Sequence, residues 1–148
     1  MMIMKVFRRI LFYILSFTWG AICSVSGLII VLVAALCGGT LKTYHGRLYC
    51  VIGNNWGGFE LGCFFLCSKA SDYEGSTTRA HECGHGLQNC LWGPLMLFVI
   101  TIPSAIRYWY RELKYHRKGL VPPTMYDDIW FEGQATRWGQ TYVDMDWC

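Results

Sequence analysis

Hydrophobic and polar positions along the chain fall into successive zones. A short basic start carries Lys5, Arg8 and Arg9, and Ile10 to Leu36 then runs 27 residues without a charge. That run is longer than the roughly 20 residues needed to cross a bilayer core and too long for the apolar core of a cleaved signal peptide. It predicts a retained N-terminal anchor over residues 1–39, in which Gly20, Ser24, Ser26 and Gly27 could bend the run or let another helix approach closely. From residue 40 the period shortens. Thr43 to Ile52 and Phe59 to Leu66 are β-prone runs separated by Asn54-Asn55-Trp56-Gly57-Gly58, which predicts a β-hairpin over 43–66. A polar loop follows, then a helix over 78–92, with Thr77 or Thr78 as its cap and Gly93-Pro94 as its stop. An apolar helix bent by Pro94 and Pro103 is expected over 94–118, turning basic and aromatic after Ile106. A last helix is expected over 125–138, started by Thr124 with Asp127 as its capping partner, and residues 140–148 form a tail. The expected fold is an α+β membrane protein: an anchor, then a membrane-associated zincin-like domain over 40–148.

The chemistry sits in the helix over 78–92, which contains His81-Glu82-Cys83-Gly84-His85. Residues four apart share a helical face, so His81 and His85 can address one metal ion while Glu82 takes a proton from a metal-activated water. A catalytic zinc needs a third protein ligand and one open position. Glu132 is the choice, because Ala135 and Thr136 share its helical face and small residues there allow a close approach to the first helix. Asp127, Asp128 and His116 are the rival ligands. Asp128, one turn before Glu132, is the expected acceptor for a histidine N–H. His116, Arg107 and Tyr126 are candidate donors to the transition state. Phe59 to Leu66, through Phe59, Leu61 and Cys63, is expected to align an extended substrate as an edge strand.

Composition and charge change the picture in four ways. Charged residues make up only 16% of the 148 and hydrophobic residues 53%, against about 25% charged in a typical soluble domain. With seven Trp, nine Tyr and eight Phe, this favours a membrane protein with interfacial aromatics. The net charge of +3 gives no sign of a nucleic-acid partner. The eight cysteines form no C-x-x-C pair and read as small buried hydrophobes kept reduced; Cys83, inside the motif, points off the ligand face. The basic cluster Arg107, Arg111, Lys114, Arg117 and Lys118, interleaved with Tyr108, Trp109, Tyr110 and Tyr115, predicts contact with anionic lipid.

His81-Glu82-Cys83-Gly84-His85 with Glu132 to Ala135 downstream resembles the gluzincin membrane peptidases, among them the prenyl-protein and heat-shock proteases. The resemblance implies one Zn²⁺ held by His81, His85 and Glu132, with Glu82 as base and a protein or peptide as substrate. It departs at Thr136, where that family has an acid. A wider likeness takes in Asn55 to Gly58, His81 to Gln88, Gly93-Pro94-Leu95, Ile102-Pro103-Ser104 and Phe131 to Ala135. These segments resemble a group of small bacterial membrane proteins, which implies an integral place in a bacterial membrane and no substrate.

Topology constrains this reading. If residues 91–106 crossed the bilayer, the histidines and Glu132 would lie on opposite sides, since nothing after Arg107 is apolar enough to return. Only Leu95 to Ile102 lies between the prolines, too short for a span, so a shallow or re-entrant element is required. The basic cluster then puts the zinc site at the cytoplasmic interface. The N-terminal run remains open between a single crossing and a monotopic or bent-back element. The alternative function is a non-catalytic metal-binding membrane protein, a partner-binding or sensing module in which Cys83 or Asp128 supplies a fourth ligand.

Overall fold

The computed structural model describes residues 2–144, so Cys148 and the last part of the expected tail lie outside the described residues. The fold is α+β: helices α1 (Met2–Phe17) and α2 (Ala21–Leu36), strands β1 (Thr40–Tyr44), β2 (Arg47–Val51), β3 (Gly58–Leu61) and β4 (Phe64–Cys67), then α3 (Thr77–Trp92), α4 (Ile102–Lys114) and α5 (Trp130–Asp144).

The charge-free run forms two helices, not one. They meet at 92° around Thr18 to Gly20, where Thr18 Oγ1 donates to the Ile14 carbonyl and closes the first helix. A second bend of 115° separates α3 from the helical stretch ending at Lys118; Gly93 adopts φ +52 there, and a five-residue π-helix, Leu97–Thr101, leads into α4. Among the described residues no single helix is long and apolar enough to cross a membrane; the two bent pairs reach that length and composition only together.

The expected single hairpin is two. His45 (φ 45) and Gly46 (φ 74) make a two-residue turn inside the first β-prone run, and Gly62 (φ 76) with Cys63 makes another inside the second. The sheet order is β1-β2-β4-β3, with β2 and β4 parallel and the outer pairs antiparallel. Cys63 therefore belongs to a turn and Phe64 to Cys67 to an interior strand; of the second β-prone run, Gly58–Leu61 forms the sheet edge beside α3, the other edge being β1. Phe12, Val31 and Ala34 of α1 and α2 pack with Cys50, Cys63 and Phe64, so the N-terminal helices share a core with the sheet.

A buried cation fastens the sheet to α3. The Arg47 guanidinium donates to Glu60 Oε1 at 3.2 Å and to the carbonyls of Glu82 at 3.0 Å, Cys63 at 3.2 Å and Gly62 at 3.3 Å. Both side chains of the Arg47–Glu60 pair are fully buried. Burial pushes the Glu60 carboxyl well up, against the pull of Arg47. Gly86 leaves room for the guanidinium, since a Cβ there would stand 2.5 Å from Arg47 Nη1.

Candidate metal centre

Helices α3 and α5 run antiparallel in close contact because glycines line their seam. A Cβ on Gly84 would stand 1.8 Å from the Ala135 carbonyl oxygen, and one on Gly139 would stand 1.9 Å from that of Ala80. This approach brings Glu132, fully buried near the start of α5, onto the histidine face of α3.

Three ligand atoms then form a triangle. His81 Nε2 lies 3.0 Å and His85 Nε2 3.2 Å from Glu132 Oε2, and the two Nε2 atoms are 3.1 Å apart. Ligands held tetrahedrally at the 2.0–2.1 Å typical of zinc stand about 3.3 Å from one another, so the triangle has the size of one such sphere. His81, His85 and Glu132 are the group among the described residues that could hold a metal ion.

The hydrogen bonds behind the triangle fix what it presents. His85 Nδ1 lies 2.7 Å from Gln88 Oε1. The Gln88 amide nitrogen donates to the Phe131 carbonyl at 2.8 Å and to Gln134 Oε1 at 2.9 Å, which sets the amide orientation and makes Oε1 an acceptor. His85 must therefore carry its hydrogen on Nδ1. His81 Nδ1 lies 2.8 Å from Thr136 Oγ1, whose own hydrogen goes to Asp127 Oδ2 at 2.7 Å. His81 is thus also an Nδ1–H donor. Each ring thus turns Nε2 toward Glu132 Oε2, as an N–H donor when protonated and as a lone pair when neutral. Burial raises the Glu132 pKa, but hydrogen bonds from the protonated rings of His81 and His85 and from the Ser104 hydroxyl, which donates to Glu132 Oε1, hold it well below the usual carboxylate range. With both rings neutral, three lone pairs at this spacing repel. One proton bridges one edge of the triangle, whereas a divalent cation satisfies all three corners.

Glu82, 4% exposed, lies beside the triangle. A Cβ on Gly58 would come within 2.3 Å of Glu82 Oε1, so the edge strand closes over the carboxylate at a glycine. Burial pushes the Glu82 carboxyl up, partly offset by His81 and His85. A cavity of about 610 Å³ opens on the site, walled by Gly58 and Phe59 of β3, Ser104, Tyr108 and Trp109 of α4, and Tyr126.

Several expected assignments are corrected. Asp128 does not hold a histidine; its carboxylate accepts the Met125 N–H at 2.7 Å in a 3₁₀ turn, Tyr126–Asp128. Ile129 is extended, with ψ 139, so residue 128 is not one helical turn before 132, and the acid behind His81 is Asp127, acting through Thr136. Arg107 does not face the cavity. It donates to the carbonyls of Met125 and Tyr126 and packs over the Tyr126 ring. His116 lines the cavity, lying 3.3 Å from a Glu112 oxygen, and Tyr126 lines it with its hydroxyl 3.3 Å from Ser104 Oγ. Of the edge-strand residues, Phe59 lines the cavity, while Leu61 and Cys63 are packed into the core, as the Gly62 turn dictates. Cys83 packs with Tyr49, Phe65 and Tyr142, away from the triangle.

Gln88, Thr136, Ser104 and Gly58 were not singled out by sequence for these tasks. The signal for two of them was present: Gln88 follows His85 by three and Thr136 follows Glu132 by four, each on its neighbour's helical face. Ser104 and Gly58 come from elements whose approach only the fold sets. The chain matches no family model, no curated protein and no solved structure.

Proposed function

We propose that the protein is a zinc metalloendopeptidase working at a bacterial membrane, in contact with lipid and with its site near the cytoplasmic interface. The observation that carries this reading is the triangle of His81, His85 and Glu132, with both imidazole tautomers set by Gln88 and by Thr136 with Asp127. Two imidazoles and one carboxylate suit zinc, and three protein ligands leave a fourth position open. The bound metal would supply a Lewis acid that polarises the scissile carbonyl and lowers the pKa of a coordinated water.

The chain's own groups do the rest. Glu82 takes a proton from the attacking water and delivers it to the departing amine nitrogen; its burial and raised pKa suit a group that must accept and release a proton. Gly58 and Phe59, at the sheet edge along the cavity wall, offer backbone to an extended substrate without demanding a particular side chain. The Tyr126 hydroxyl is the best-placed donor to a developing oxyanion, since Arg107 is committed to backbone carbonyls. A fourth protein ligand would favour the non-catalytic alternative; Cys83 packs with Tyr49, Phe65 and Tyr142, and the Asp128 carboxylate accepts the Met125 N–H.

The test is Glu82→Gln, assayed on an unstructured protein substrate with zinc measured in parallel. The expected outcome is full zinc content with hydrolysis reduced at least 100-fold, within the range of a lost general base. Full zinc with unchanged hydrolysis would overturn the mechanism.

A further inference from the structure

The exposed apolar surface has an order that the site does not explain. Leu91, Leu95, Phe98, Ile102, Ile106 and Leu113 follow one another at helical steps, and each is between 42% and 67% exposed. They form a stripe that turns the corner from α3 through the π-helix into α4. On α1, α2 and the bend between them, Phe7, Ile10, Ile14, Trp19, Ile22 and Ile29 are exposed to a similar degree. Large apolar surface of this extent marks an interaction site.

The two bends that carry these surfaces are packed on each other. Trp19, in the first bend, donates its indole N–H to the Leu91 carbonyl at 3.3 Å. A Cβ on Gly93, in the second, would stand 2.3 Å from the Trp19 ring, and one on Gly20 would stand 2.2 Å from the Asn89 amide nitrogen. Both corners therefore lie together at one place on the molecule. Each pair could in principle be a broken span, but the second cannot cross. After α4 the chain returns along that helix with no regular structure beyond two single 3₁₀ turns, His116–Lys118 and Tyr126–Asp128: Arg111 reaches Thr124, Arg107 reaches Met125 and Tyr126, and Ser104 reaches Tyr126 and Glu132. It then starts α5 at Trp130, whose ring lies 6.1 Å from that of Trp92 at the bend. Irregular backbone exposed to lipid cannot span hydrocarbon.

The charges complete the picture. Lys5, Arg8 and Arg9 are on α1, and Lys114, Arg117 and Lys118 stand at the far end of the second bent element. Basic residues flanking an apolar stripe with Trp and Tyr at its margin are the pattern of a helix lying in an anionic lipid interface.

We propose that the chain enters a bilayer from one side only, its two packed helix bends and the Leu91-to-Leu113 stripe seated in one leaflet and both basic regions against anionic headgroups of that leaflet. This builds on the membrane location proposed above and is independent of hydrolysis, which the Glu82→Gln assay addresses separately. It also reconciles the two basic regions, which a single crossing by the N-terminal run would put on opposite sides.

The experiment uses the full chain in vesicles of phosphatidylcholine and phosphatidylglycerol, with Cys37 and Cys148 replaced by Ser. Single cysteines are introduced by Glu74→Cys and Lys118→Cys, and an epitope tag is placed at the N-terminus. A membrane-impermeant maleimide and an external protease should reach all three from the same side. Nitroxide labels at Phe98→Cys and Ile106→Cys should collide more readily with oxygen than with a water-soluble nickel complex, and a label at Lys118→Cys should show the reverse. Labelling of the Glu74→Cys variant from the side opposite to that of the Lys118→Cys variant would mean that the second bent pair crosses, an N-terminal tag on the side opposite to that of the Glu74→Cys variant would mean that the first does, and either would overturn the proposal. So would nickel accessibility at positions 98 and 106, which would put the stripe in water, or strong spin–spin coupling between copies at position 106, which would make a second copy its occupant.

Discussion

Thr136→Val tests the wiring of the metal centre most sharply, because it removes one hydroxyl and keeps the side-chain shape. Thr136 Oγ1 stands 2.8 Å from His81 Nδ1 and donates to Asp127 Oδ2 at 2.7 Å. Without it, the Nδ1–H loses its acceptor, the His81 ring is free to present its other tautomer, and Nε2 can carry the hydrogen in place of the lone pair. Loss of a group that orients a metal-binding histidine typically weakens the metal 10- to 100-fold, or about 1.4–2.7 kcal/mol. Thr136→Ser keeps the oxygen and should stay within a few-fold of the unmodified protein. The assay is competition for zinc against a chromophoric chelator, with far-ultraviolet circular dichroism to verify the fold. Thr136 is only partly buried, so a folding defect is not expected to intrude. Equal zinc affinity for the Val and Ser variants would refute the argument that these hydrogen bonds set the ligand tautomers.

Three further outcomes follow from particular contacts. Gly58→Ala should leave zinc affinity unchanged but lower hydrolysis by about 100-fold, since its Cβ would come within 2.3 Å of Glu82 Oε1 and must displace the base. Gly84→Ala should lower the thermal midpoint through a loss of about 1–3 kcal/mol or more, and weaken zinc in step, because backbone rather than a movable side chain opposes the new methyl. Arg47→Met should destabilise by about 3–5 kcal/mol by leaving Glu60 buried and unpaired, and Arg47→Met with Glu60→Gln should recover part of that loss in a denaturant titration.

The two helices of the metal centre could be read from spacing alone, because His81, His85 and Glu132 obey the helical period and small residues on α5 announce a close neighbour. The residues behind them were hidden for a local reason. Ile129 interrupts the helix, so counting four back from Glu132 reaches Asp128, while the chain supplies Asp127 through Thr136. In the sheet, aromatic and β-branched flanks conceal the turn at His45 and Gly46, while in the charge-free N-terminal run Gly20 hints at the break at Thr18 to Gly20 but no polarity change marks it. Arg47 looks in the sequence like a polar strand position. Only the assembled sheet and α3 provide the four acceptors that make its burial tolerable.

X-ray absorption at the zinc edge, on protein purified with its metal, tests the central claim most directly. Four nitrogen and oxygen neighbours at about 2.0–2.1 Å, two of them with the outer-shell scattering of imidazole, would agree with His81, His85, Glu132 and one exchangeable ligand. A sulfur neighbour near about 2.3 Å, or protein that binds no zinc at all, would contradict it.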